Sequence, residues 1–204
     1  MAHTHDLPDL SATDRRALLA LARAAIETRL GLVALAKPEH TPAFDRPGGA
    51  FVTVFVKGEL HGCVGLPEAR EPLGEVVSYC ARAAAFGDPR FPPVTLPDLK
   101  DLSLEISVLT PAEAVVDPAA VEVGRHGLVV EQGAARGLLL PQVPVEHGWT
   151  REQFFDHTCI KAGLPPDAWR RGARVYSFEA LVFAEAEGSR SSCNRGSGQQ
   201  GPQR

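Results

Sequence analysis

No Cys-x-x-Cys pair occurs in this chain. Its four cysteines, Cys63, Cys80, Cys159 and Cys193, lie 17, 79 and 34 positions apart, so neither a zinc ribbon nor a thioredoxin-type redox pair has the spacing it needs. Neither charge predominates, with 21 Lys and Arg against 25 Asp and Glu. A net charge of −4 leaves no basic footprint for a nucleic-acid backbone, and aromatic residues make up only 6% of the chain, too few for a base-stacking platform. No apolar run approaches the length of a membrane span, because Arg23, Glu27 and Arg29 interrupt the one long apolar stretch. The same charges remove the pattern of a signal peptide. These absences predict a cytoplasmic protein with free thiols. No phosphate loop and no Ser-His-Asp constellation declares itself.

What remains is an ordinary globular composition. With 44% hydrophobic and 23% charged residues over 204 positions, the chain suits one domain, or one domain with a smaller lobe. Residues 1–10 read as a flexible N-terminus, where His3 and His5 are more simply part of a frayed end than a metal site. Ser11 and Asp14 form a capping box. Leu18, Leu21, Ala22, Ala25 and Ile26 follow at helical spacing, and Gly31 supplies a stop. Phe51–Val56 is a β-branched and aromatic run that favours a strand buried on both faces. Lys57-Gly58 then offers a hairpin turn, since glycine takes positive φ without strain. On the returning arm, His61 and Cys63 are two apart and share a face in an extended chain. Gly62 and Gly65 leave the backbone uncovered for a close approach.

A second helix is predicted after Pro72, with Leu73, Val76, Val77, Cys80 and Ala84 on one stripe and Gly87 at its end. Leu102, Leu104, Ile106 and Val108 alternate with Ser103, Glu105 and Ser107, giving a strand with one apolar and one polar face. Val121–Val123, Leu128–Glu131 and Leu138–Leu140 read as short strands, the last closed by Pro141 and Pro144. Thr150 to Gln153 forms another capping box before a helix that buries Phe155, Thr158, Cys159 and Ala162, and Val175–Glu185 reads as a final strand. Gly188–Arg204 is rich in Gly, Ser, Gln and Arg and is predicted disordered, with Cys193 in solvent. Strands followed by helices with hairpin links argue an α+β fold.

Six blocks carry a resemblance: Leu60-His61-Gly62-Cys63-Val64-Gly65, Asp88-Pro89-Arg90-Phe91-Pro92-Pro93, Leu104–Leu109, Gly124–Leu128, Leu139–Val143 and Lys161–Leu164. In this order, over roughly residues 13–187, they resemble the AMMECR domain family, also known as AmmeMemoRadiSam system protein A. The resemblance implies a largely antiparallel or mixed sheet flanked by helices over residues 11–187. It also implies a larger and a smaller lobe, with shared polar residues near the cleft between them. Further, it implies association with a Memo-like protein and a radical S-adenosylmethionine protein. Where the family usually has Arg, this chain has His61. An arginine would clamp an anion with a permanent forked charge, whereas histidine, with an ordinary pKa of about 6.5, does so only when protonated.

Cys63 is the thiol without a place on a core stripe, and it is the candidate nucleophile or soft ligand, acting as thiolate; the alternative is that it fills space between strands. Direct pairing with His61 is strained, because residues two apart in a strand lie roughly 6–7 Å apart, although both can touch one substrate. Asp88 and Arg90 either orient a substrate or pair with each other. Glu105 and Ser107 share the polar strand face, where a carboxylate can act as base. His126 is a general base or a turn residue, and Gln142 offers an amide at a rigid strand exit. His147 and His157 are set aside, and Cys80 and Cys159 are read as core thiols. No cofactor and no metal site is predicted. The readings left open are an enzyme, or enzyme component, for a small polar substrate and a non-catalytic binding module.

Overall fold

A hairpin starts the sheet. In the computed structural model, which describes residues 9–32, 38–68 and 70–185, strand β1 (Gly49–Val56) turns through Lys57-Gly58 into β2 (Glu59–Leu66). Both turn residues have positive φ, 54° at Lys57 and 77° at Gly58. This left-handed pair belongs to a type I′ turn, whose twist matches that of the flanking strands. Of the N-terminus expected to be flexible, residues 1–10, the first eight lie outside the described residues, whereas Leu10 is buried in the core. The tail 188–204, expected to be disordered, lies outside them too, with Cys193.

Four further main strands, β3 (Leu102–Leu109), β5 (His126–Gln132), β6 (Ala135–Leu139) and β7 (Arg174–Ala184), extend the hairpin, together with the two-residue β4 (Glu113–Ala114). Among the described residues they form one antiparallel sheet in the order β2-β1-β3-β7-β5-β6, with β4 also paired to β7. β7 joins the halves: Ala180–Ala184 pair with β3 and Arg174–Glu179 pair with β5.

The alternation of β7 assigns the two faces. Its odd-numbered side carries Leu181 and Phe183 into one core cluster and Val175 into others. Helices α1 (Ala12–Arg29) and α2 (Leu73–Phe86) cover that side of β1 and β3, burying Val52, Val54, Leu104 and Ile106. Helix α4 (Arg151–Lys161) covers the same side of β5, where Phe154, Phe155 and Cys159 close over Leu128 and Val130. Each such apolar side chain, fully buried, contributes about 1.5–3 kcal/mol. On the even-numbered side, Phe178 packs with Leu109 and Val129, and Phe51, Leu138 and Leu140 join them. Phe51 on β1 and Leu138 on β6 come from strands with three others between them, so this face is concave and the sheet curls into a half-barrel. The fold is α+β. No helix of the described residues is long and apolar enough to cross a membrane.

Two expected elements differ. Val121–Val123 forms no strand; Val121 is buried against the α4 cluster, and the chain then turns through Gly124 at φ 91°. Pro141 and Pro144 do not simply close a strand, for residues Gln142–Glu146 form a short helix, α3, with Pro144 buried in its first turn. A first-turn N–H has no partner within its helix, so proline is tolerated there.

Candidate functional site

Cys63 lies on β2, an edge strand of the sheet, whose far side would present unpaired backbone groups. Its N–H donates to Asp88 Oδ2 at 3.0 Å, so the loop after α2 covers this edge. Its side chain shares a row with two others: Thr53 stands directly opposite on β1, and Glu105 stands opposite Thr53 on β3. Ser107 follows two residues along β3, on the same concave face. Thr53 and Ser107 are buried, while Cys63 and Glu105 are half-buried. The Thr53 hydroxyl lies 3.4 Å from Cys63 Sγ. The polar side of β3 lines the inside of the curl, buried at Ser107 and half-exposed at Glu105.

The position of Cys63 depends on its neighbour. Phe55 pairs with Leu60 but Val54 pairs with Gly62, so His61 is the extra residue of a β-bulge. A regular hairpin about Lys57-Gly58 would set Cys63 opposite Val52, on the helix-covered side. The bulge moves the register by one and sets it opposite Thr53. The simple alternation expected for His61 and Cys63 therefore breaks between them. His61 stacks on Phe91 with centroids 6.2 Å apart, and its Nε2 is buried without a hydrogen-bond partner among the described residues. The two nearby glycines are not uncovered. A Cβ on Gly62 would lie 2.0 Å from the carbonyl oxygen of Ala84 on α2, and the ring of Phe51 covers Gly65.

Asp88 and Arg90 pair with each other. The Arg90 guanidinium donates from Nε at 2.9 Å and Nη2 at 2.7 Å, and its main-chain N–H donates at 3.2 Å. Asp88 is buried, and these hydrogen bonds, with that from Cys63, hold its carboxyl far below the usual carboxylate range against the opposing effect of burial. Arg90 also lies over the Phe91 ring at 5.3 Å. The structure thus brings Cys63, His61, Asp88 and Arg90 into one neighbourhood, with Glu105 and Ser107 on the adjoining concave face.

His126 and Gln142 lie on other elements. His126 opens β5 and is buried; its Nδ1 accepts the N–H of Glu122 at 2.9 Å, and its Nε2 lies 3.9 Å from Glu179 on β7. Gln142 is the first residue of α3. Cys80 and Cys159 are fully buried, and burial pushes the Cys80 thiol up to about 11 and raises that of Cys159. Among the described residues, no three His, Cys, Asp or Glu side chains converge as a metal site.

A sequence model of the AMMECR1 family matches residues 19–183. The chain belongs to the AMMECR1 family. A relative from Methanothermobacter thermautotrophicus is 48% identical over 185 residues, covering 86% of this chain and 96% of the relative. Protein MJ0810 of Methanocaldococcus jannaschii is 44% identical over 175 residues, covering 81% of this chain and 87% of its own length. The crystal structure of the uncharacterized protein PH0010 from Pyrococcus horikoshii superposes with a TM-score of 0.73 at 43% identity, covering 83% of this chain and 90% of that one.

Within this AMMECR1 fold, several polar groups were not legible beforehand. Thr53 is hidden because only the bulge brings it to Cys63. Glu179 is buried, accepts from Arg125 at 3.1 Å, and its backbone exchanges hydrogen bonds with Thr110, where β7 changes partners. A glutamate inside an apolar strand was the available signal. His147 and His157, set aside earlier, each stack on Trp149, at 4.6 Å and 3.8 Å with interplanar angles of 11° and 5°. A groove of about 730 Å³ runs between α2 and the turn Pro42–Asp45, lined in part by Phe44, Leu66, Val76 and Tyr79, and no candidate residue lines it.

Proposed function

We propose that this chain is an enzyme, or an enzyme component, that holds a small polar substrate in the cleft between its two lobes, at the concave face of the sheet, with Cys63 as the thiol that meets it. The observation that carries the reading is the row Cys63–Thr53–Glu105, three polar side chains directly opposed across neighbouring strands on the face without helices. Cys80 and Cys159 fill space in apolar clusters, whereas Cys63 is half-buried among groups able to hydrogen-bond a substrate. In this reading Cys63 acts as nucleophile or soft ligand in its thiolate form, and Glu105 and Ser107 contact the same substrate. His61 Nε2, buried with no hydrogen-bond partner among the described residues, favours a ligand at the edge beside Phe91, because a buried polar atom without a partner costs about 1–3 kcal/mol. Asp88 and Arg90 fix the neighbouring edge, and Gln142 is a further substrate contact that the family resemblance suggests; His126, opposite Glu179 on the helix-covered side of β7, stands on the other face of the sheet. A Memo-like protein and a radical S-adenosylmethionine protein are the proposed partners, on the same resemblance, and redox chemistry belongs to them. In a reaction reconstituted with these partners, Cys63→Ser is expected to abolish turnover while unfolding stability stays within about 1 kcal/mol of the parent. Full turnover by the folded variant would sink the reading.

The second reading, a non-catalytic module that receives a ligand or partner, is favoured by the groove beside α2, where Tyr79 is 52% exposed over Phe44 and Val76. Tyr79→Ala separates the two. It abolishes function if the groove is the working surface and leaves turnover intact if Cys63 is.

A further inference from the structure

We propose that Thr53 is a positioning residue for Cys63, its hydroxyl setting both the direction of Sγ and the ease with which the thiol loses its proton. The proposal rests on the reading of Cys63 as the functional thiol. Three observations support it. Thr53 is 5% exposed and lies on the concave side of β1, so its hydroxyl is shielded from bulk water. That hydroxyl donates to Cys63 Sγ across 3.4 Å. The contact exists only because of the bulge at His61, which moves Cys63 away from Val52 and into register with Thr53.

Cys63 is therefore held at both ends. Its main-chain N–H is fixed by Asp88 at 3.0 Å, and its sulfur meets Thr53. The two contacts differ in electrostatic sense. A carboxylate near sulfur disfavours thiolate; Asp88 is paired to Arg90, which offsets its charge, and Glu105 stands one strand further, opposite Thr53. A hydroxyl that donates to sulfur favours the charged form, and in a shielded setting that preference is stronger than in water. Thr53 supplies this stabilisation without a formal charge. A merely structural threonine would satisfy its own hydroxyl and leave the titration of Cys63 unchanged.

The test is the pH profile of Cys63 alkylation by iodoacetamide, in which the thiolate displaces iodide, read on the full chain by mass spectrometry of the Cys63 peptide. In Thr53→Val the profile midpoint is expected to rise by about one pH unit, a tenfold smaller thiolate fraction below the midpoint. The rate at neutral pH should fall only about threefold to fourfold, because a more basic thiolate is intrinsically more nucleophilic. Thr53→Ser, which keeps the hydroxyl, should superpose on the parent. If Thr53→Val fails to fold, Thr53→Ala makes the same comparison. A superposable Thr53→Val or Thr53→Ala profile, or a Thr53→Ser midpoint displaced as far as that of Val, overturns the proposal. The measurement needs neither substrate nor partner. An unshifted profile sinks Thr53 and leaves the role of Cys63 standing, whereas full turnover by Cys63→Ser sinks that role whatever the profile shows.

Discussion

A buried carboxylate is unfavourable unless donors fill its lone pairs, and Asp88 meets that requirement from two directions. The guanidinium and N–H of Arg90 come from its own loop, and the N–H of Cys63 comes from the sheet edge. Because its folded pKa lies below the unfolded value near 3.9, Asp88 contributes stability above about pH 4 and loses it as pH falls below that. Asp88→Asn should destabilise the protein by about 2 kcal/mol at pH 7, and the gap should shrink on acidification to pH 3. Urea midpoints at the two pH values check this; an equal gap at both would mean that the carboxylate charge is not what Arg90 and Cys63 hold. The other thiols give a second residue-level test. Cys80 and Cys159 are buried, with thiol pKa values raised by that burial. In native protein at pH 8 both should label with iodoacetamide at least ten times more slowly than Cys63, as burial withholds reagent and thiolate together. Comparable rates, read peptide by peptide, would show that the helix stripes are open.

At the scale of elements, the hairpin carries the site through its irregularities. Lys57 occupies a left-handed position that favours glycine or asparagine. Lys57→Asn should stabilise the fold by about 0.5–1 kcal/mol, seen as a higher urea midpoint at unchanged slope, and a lower midpoint would mean that the Lys57 side chain stabilises the turn. Gly62→Ala acts oppositely: its Cβ would enter the Ala84 carbonyl, so α2 must withdraw from β2, at a cost of about 1–3 kcal/mol or more. These effects mark where sequence reading succeeds. The alternation of Leu102 to Val108 and the apolar stripe of α2 each repeat over several residues, and the structure places them as expected. A bulge has no period. Nothing in Leu60-His61-Gly62 announces that one residue will be left unpaired, so the partner of Cys63 could not be read, although Cys63 itself could.

For the whole molecule, closure of the half-barrel is the long-range feature that local patterns do not reveal. Arg136 on β6 pairs with Glu68 just past β2, so the two ends of the strand order are drawn together. Beside them, Phe51, Leu138 and Phe178 fill one part of the concavity. The row of Cys63, Thr53 and Glu105 occupies the same face, in the part this apolar cluster does not fill. His126 and Glu179 illustrate the same limit at longer range: a turn histidine and a strand glutamate meet only because β5 pairs with β7. The proposed working surface is the Cys63 row and not the groove beside α2. The measurement that tests it most directly is native mass spectrometry of freshly purified parent, Cys63→Ser and Tyr79→Ala chains. A retained small molecule, or an adduct mapped to Cys63, is expected on the parent and on Tyr79→Ala but not on Cys63→Ser. The same bound mass on Cys63→Ser, with its loss from Tyr79→Ala, would contradict it.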